Sequence, residues 1–178
     1  MNMEMISIPI HNSYWVVPGR FRAGEYPGSI QNDEARNKLR WLLDQGTDLI
    51  LDLTDEGEAG LRSYAHLFQE EATRFHKLVM HKRISIQDFN RPSKEKMVEI
   101  LDAIDSALSK EKNIYLHCYG GKGRTGTVVG CYLVRHGVPG DKALEMIQDF
   151  RRGIPGKYEQ SPETEGQRKM VMEWTKGQ

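Results

Sequence analysis

The chain has 178 residues, 25 basic and 25 acidic side chains and 38% hydrophobic content. That length and apolar share suit one domain spanning 1–178 with a real core, and the balanced charge argues against a nucleic-acid or membrane surface. Only two cysteines occur, "MNMEMISIPI" lacks the basic start and apolar run of a signal peptide, and "TVVGCYLV" at 127–134 is too short to cross a bilayer; a monomer without membrane insertion, in the reducing cytoplasm, is expected.

Helical and strand patterns alternate along the chain, with no repeat or low-complexity linker. "NDEARNKLRWLLDQG" recurs in apolar residues at Ala35, Leu39, Leu42 and Leu43 and stops at Gly46, which predicts an amphipathic helix. "DLILDL" at 48–53 predicts a buried strand. A second helix places Leu61, Tyr64, Ala65, Phe68, Ala72 and Phe75 on one face, and a strand follows at 77–81. A third helix carries Met97, Ile100, Leu101, Ile104 and Leu108. "NIYLH" at 113–117 is a short strand leading into "HCYGGKGRTG", after which Thr127 to His136 forms a helix ended by Gly137. Two more helices are predicted near 141–151 and 161–174, the last capped by Ser161 with Pro162 in its first turn. The alternation predicts an α/β fold, a central mixed or parallel sheet flanked by helices.

The glycine-rich loop therefore lies between a strand and a helix, where α/β proteins hold phosphate. Its glycines allow successive N–H groups to point inward, and the helix N-terminus adds partial positive charge. A nucleotide loop of the form G-x-x-x-x-G-K-[ST] is excluded, because Gly123 and not a hydroxyl residue follows Lys122. What remains is Cys118, then five residues, then Arg124 and Thr125. A thiolate at the base of such a nest can attack phosphorus while amides and a planar guanidinium hold the equatorial oxygens.

The run "HCYGGKGRT" resembles the H-C-x5-R-[ST] signature of the cysteine-dependent protein tyrosine phosphatase superfamily, and the chain's length and loop look most like its dual-specificity branch. "YWVVPGRFRAGEYPG", "QDFNRP" and "SPETEGQRKMV" resemble, less specifically, the opening segment, general-acid loop and closing helix of small phosphatases. The resemblance implies that Cys118 is the nucleophile, with the backbone of Tyr119, Gly120, Gly121, Lys122 and Gly123 and the Arg124 side chain binding phosphate. It implies that Thr125 donates its hydroxyl to the departing sulfur, that Asp88 is the general acid, and that Gln167 positions water. His117 joins the catalytic set as an orienting group, not as a base.

Each residue also has a plainer reading. A free cysteine is commonly a small buried hydrophobe, and Cys131, within an apolar helix, is taken as one. Arg124 as a surface cation sits poorly at a helix N-terminus, so an anion explains it better. Thr125 is otherwise a cap, Asp88 a turn residue and Gln167 a surface residue. Asp102 and Asp105 lie away from the apolar face of their helix, and Asp52 and Asp55 follow a strand and support a loop near the site. No metal-ligand cluster or cofactor is expected. The expected partner is a phosphorylated protein, with an inositol phosphate or phosphoinositide as the alternative: Lys122 favours a second phosphate, whereas Tyr119 stands where lipid phosphatases carry lysine. A catalytically dead phosphate-binding module and a sulfurtransferase are the other classes.

Overall fold

Residues 9–178 are described by a computed structural model; Met1 to Ile8, which hold most of the stretch read above for a leader, lie outside the described residues. In chain order the elements are β1 (Ser13–Val17), β2 (Phe21–Gly24), α1 (Asn32–Asp44), β3 (Leu49–Asp52), α2 (Ala65–Arg74), β4 (Met80–Arg83), α3 (Lys94–Ser109), β5 (Ile114–His117), α4 (Arg124–Arg135), α5 (Gly140–Phe150) and α6 (Glu165–Glu173). The strands form one five-stranded sheet in the order β1-β2-β5-β3-β4. The β1–β2 hairpin is antiparallel, and β2, β5, β3 and β4 run parallel.

Period-two alternation decides which layer each strand residue enters. Ile114, Leu116, Leu49 and Leu51 face a core shared with Met97, Ile100, Ile104 and the apolar side of α4. Ile50 and Tyr115 point to the other face, against Leu39, Leu42, Leu43 and Phe68 of α1 and α2. β5 is buried along its whole length because both of its edges are paired and both of its faces covered. The predicted mixed α/β sheet is thus observed.

Local differences have identifiable causes. The hairpin goes unpredicted as strands: β3 and β5 are as short but buried throughout and so stand out as apolar runs, whereas β1 and β2 mix buried with half-buried positions. β4 begins at Met80, not Lys77, since its register is set by pairing Leu49 with Met80 and Asp52 with Arg83. α2 starts at Ala65: the preceding segment is a tight 3-10 turn, Glu58–Gly60, with Ala59 at φ 49°, drawn toward the loop after β5 by contacts described below. α6 starts later than predicted. Its cap is Thr164, whose hydroxyl accepts from the Gln167 amide while the Gln167 side chain accepts from the Thr164 amide. Ser161 and Pro162 lie upstream of that helix.

Candidate active site

The loop 118–123 leaves the carboxyl end of the central strand and enters α4, at the end of a parallel sheet where open α/β folds bind ligands. Gly121 adopts φ +72°, and a Cβ there would lie 2.4 Å from the Gly24 carbonyl carbon and 2.6 Å from the Glu25 nitrogen. Both constraints require glycine, since the obstacle is backbone and cannot turn aside. Among the described residues, none of the backbone amides from Tyr119 to Arg124 donates to a protein acceptor. Cys118 is 3% exposed and lies at the floor of a cleft of about 340 Å³ bounded by Asp88, Phe89, Tyr119, Lys122 and Arg124. Cys131 lies buried within α4; it and Cys118 are both free, and burial pushes the Cys131 thiol up.

Behind the loop, burial pushes the His117 imidazole down to about 4, against the pull of the Asp52 carboxylate. The ring is therefore neutral at pH 7 and carries one proton. Nδ1–H donates to the Cys118 carbonyl at 2.9 Å, which leaves Nε2 to accept from the buried Tyr64 hydroxyl. Asp52 is 1% exposed and accepts from the Thr54 amide at 2.9 Å and hydroxyl at 2.6 Å; His81 and Arg83 each lie 3.2 Å from its other oxygen. Burial opposes the charge, but the His81 and Thr54 hydrogen bonds hold the Asp52 carboxyl far below the usual range.

These shifts predict acid sensitivity. The folded-state value of His117 lies below its unfolded value of about 6.5, so the unfolded chain binds the proton first as pH falls. The stability this residue contributes is complete above that value and is lost toward pH 4, an effect on the order of 3 kcal/mol. Asp52, shifted the same way, adds a loss below about pH 4. Urea unfolding midpoints between pH 7 and pH 4 should fall more steeply for the wild type than for His117→Gln; equal slopes would remove His117 as the cause.

Arg124, 1% exposed, is anchored by groups from outside its own loop. Its terminal nitrogens reach the two Glu58 carboxylate oxygens at 2.6 and 2.5 Å, and one donates to the Ile86 carbonyl at 2.9 Å. The other lies 3.0 Å from Asp88 Oδ1. Nε of Arg124 and the Thr125 hydroxyl are buried without a protein partner, as are Nε of Arg20, Arg22 and Arg151. Burial works against the Glu58 charge, and the Arg124 hydrogen bonds hold its carboxyl below the ordinary range.

Asp88 is the one of the five candidate aspartates that lines the cleft. It is half-exposed, and the next residue, Phe89, has φ 59°, a strained conformation for a bulky side chain. The loop is tied down by Gln167, whose Nε2 donates to the Asn90 carbonyl at 3.1 Å while Oε1 accepts from Glu163 and Thr164. Gln167 is buried and lies against Gly123, not on the surface. Asp52 is sealed under the loop, and Asp55 is exposed beside Glu58. Asp102, largely exposed, and Asp105, partly buried, pair with Arg135. Lys122 pairs with Glu159 at 3.3 Å and Glu163 at 3.1 Å.

Sequence reasoning missed Glu58, Tyr64, Glu159 and Glu163 as site residues. Their only sequence signal is chemical type, because they are brought in from two segments distant in the chain: Glu58 and Tyr64 from before α2, and Glu159 and Glu163 from between α5 and α6, onto His117, Lys122 and Arg124.

A buried cysteine ringed by unused amides, with an anchored arginine at the following helix, is the arrangement of cysteine-dependent phosphatases; the sheet and its covering helices belong to their dual-specificity branch. Residues 25–138, more than half of the chain, match the family model described as "polymorphic toxin system, DSP-PTPase phosphatase", and the chain belongs to this family. An uncharacterized protein of Methanocaldococcus jannaschii is 34% identical over 94 residues, 52% of this chain and 54% of that protein. The chain spans little more than half the length of the first curated relatives it matches, 54% and 58%. The fold is similar to that of Tk-PTP in its active form, with 24% identity, a TM-score of 0.69 and coverage of 92% of this chain and 95% of that one. It is also similar to kinase associated phosphatase bearing a serine for its catalytic cysteine, with 19% identity, a TM-score of 0.74 and 94% of both chains covered. Among the described residues no helix is long and apolar enough to cross a membrane.

Proposed function

We propose that this protein hydrolyses phosphate monoesters through a phosphocysteine intermediate, acting as a monomer on phosphotyrosine, phosphoserine and phosphothreonine residues of proteins in the reducing cytoplasm. The observation that carries the reading is the set of unused amides from Tyr119 to Arg124 around the Cys118 thiol, facing a guanidinium whose Nε has no protein partner. In the first step the Cys118 thiolate attacks phosphorus in line, forming an S–P bond as the P–O bond to the leaving group breaks. The amides and Arg124 stabilise the charge on the equatorial oxygens. Arg124 exchanges its Asp88 contact for the phosphate, freeing Asp88 in its acid form to protonate the departing oxygen. In the second step Asp88 takes a proton from a water in the cleft, the water oxygen bonds to phosphorus, and the S–P bond breaks with Thr125 donating to the released thiolate. Gln167, expected from the sequence to position that water, is buried and bonded to Asn90, Glu163 and Thr164, and holds the acid loop instead. His117, neutral, orients the loop through the Cys118 carbonyl. The exposed flanks of the cleft, Tyr119 and Phe89, suit a shallow site open to more than one phosphorylated residue.

Turnover of phosphopeptides in chelator, blocked by vanadate, tests the reading; turnover that requires added metal would overturn it. The acid is tested by leaving group. A general acid contributes about 10²- to 10⁴-fold, most for a strongly basic leaving oxygen. Asp88→Asn should therefore slow phosphoserine peptide hydrolysis far more than that of an activated aryl phosphate. Equal slowing of both substrates, or leaving-group dependence in Asp55→Asn instead, would displace Asp88.

A further inference from the structure

The outer rim of the cleft carries more negative charge than the phosphate loop alone implies. Lys122, the lysine on that rim, is held between Glu159 and Glu163. Burial opposes its charge, yet the hydrogen bonds it donates to Glu163 and Glu159 keep the ammonium above the usual lysine range. On the solvent side of the mouth one ammonium, already satisfied, stands between two carboxylates. Two further cations of this segment, buried Arg151 and half-buried Arg168, spend their hydrogen bonds on the backbone carbonyls of Gly121, Gly156, Pro162 and Glu163.

The glutamates are presented by a fixed segment and do not hang from a loose loop. The buried Arg151 side chain donates to the Gly121 carbonyl at 3.2 Å and to the Gly156 carbonyl at 2.9 Å, joining the phosphate loop to the 3-10 turn Pro155–Tyr158. Asn12 accepts from the Gly156 amide at 3.1 Å, and Ser161 donates to the Lys122 carbonyl at 2.7 Å. The Glu163 amide is held by Gln167 at 3.1 Å, and a Glu163 oxygen lies 3.2 Å from where a Gly123 Cβ would stand. Opposite walls are apolar, with Phe89 60% and Tyr119 54% exposed. Arg124, whose Nε has no protein partner, lines the same cleft, and the phosphatase reading puts the phosphate there.

We infer that Glu159 and Glu163 are specificity residues that favour a phosphopeptide carrying Lys or Arg beside the phosphorylated residue and disfavour polyanionic rings such as inositol polyphosphates. The inference rests on the phosphatase reading above. Additional phosphates would meet two carboxylates within a Debye length, about 10 Å at 0.1 M salt, whereas a basic flank would meet them favourably. Exposed pairs contribute up to about a fivefold factor per charge.

The experiment compares two phosphotyrosine peptides differing only in arginine or glutamate next to the phosphorylated residue. Both kcat/KM and peptide affinity are read, for the wild type and for the Glu159→Gln, Glu163→Gln double variant, each normalised to its own aryl phosphate turnover. The wild type should prefer the arginine peptide by about tenfold at low salt, with the preference shrinking as salt rises. In the double variant the preference should fall toward unity, and inositol hexakisphosphate should inhibit about fivefold more strongly. Aryl phosphate turnover without a flank preference in the wild type, or a preference the double variant retains, would overturn the charge assignment and leave the phosphatase reading standing. A flank preference in affinity without turnover of any ester would instead sustain the charge assignment and remove the phosphatase reading.

Discussion

Cys118→Ser should lower turnover of every phosphate ester by at least about 10⁴-fold while phosphopeptide binding persists. The serine hydroxyl would stand at the floor of the same amide nest, but it has little anionic character, and no neighbouring group can take its proton. His117 cannot serve as that base, since it is buried, its Nδ1–H is committed to the Cys118 carbonyl, and its Nε2 already accepts from Tyr64. The amides of the loop and Arg124 are untouched by the substitution, so affinity for the phosphate group should stay near that of the wild type. Steady-state kinetics together with titration of a fluorescent phosphopeptide separates the two effects. A variant retaining a tenth of wild-type kcat would remove the nucleophile assignment, and one that lost binding as well would show that the loop had collapsed.

Arg124→Lys should cost about 10²- to 10³-fold in kcat/KM, the range for removing a preorganised donor from an anionic transition state. The guanidinium does two jobs at once. Two nitrogens span the Glu58 carboxylate and reach the Ile86 carbonyl, which locks the side chain, and Nε, without a protein partner, is the donor the proposed mechanism gives to the phosphate. An ammonium on a flexible stem cannot span both oxygens of Glu58 and also present a second donor in a fixed plane. The loss should therefore fall on kcat as well as KM, because the contact strengthens as charge develops. Near-normal kinetics would mean that a point charge suffices and that the planar geometry is irrelevant. Thermal unfolding of the same variant measures how much of the Glu58 contact is structural.

The parts of the site that were legible in the sequence are those whose geometry is local. Cys118 and Arg124 lie within one loop, and strand, glycines and helix start fix their relation through backbone torsions that a short pattern records. Asp88 was readable to a lesser degree: its turn chemistry and its place before α3 identify a loop, but five aspartates had similar local patterns. Folding separated them, placing Asp88 against Arg124 and sealing Asp52 beneath the loop. The anchor Glu58 could not be read, because it approaches Arg124 from 66 positions away. Gln167 likewise could not be read as a structural residue: the sequence predicts the cap at Ser161 and not at Thr164, with which Gln167 shares it, and its long-range bond to Asn90 is one no local pattern carries.

The same division holds for the fold. The amphipathic periods of α1 and α3, the unbroken apolar strand β5 and the glycine-rich loop were determined by the sequence, since each is a statement about neighbours one turn or one pleat apart. The hairpin at the sheet edge, the register of β4 and the late start of α6 were decided by the tertiary structure, through pairing partners and caps too short to leave a period. So was the charge at the mouth of the cleft. The chain as a whole is neutral; only the closing segment's return to the phosphate loop sets Glu159 and Glu163 on Lys122, because Coulomb interaction depends on distance in space and not on separation along the chain.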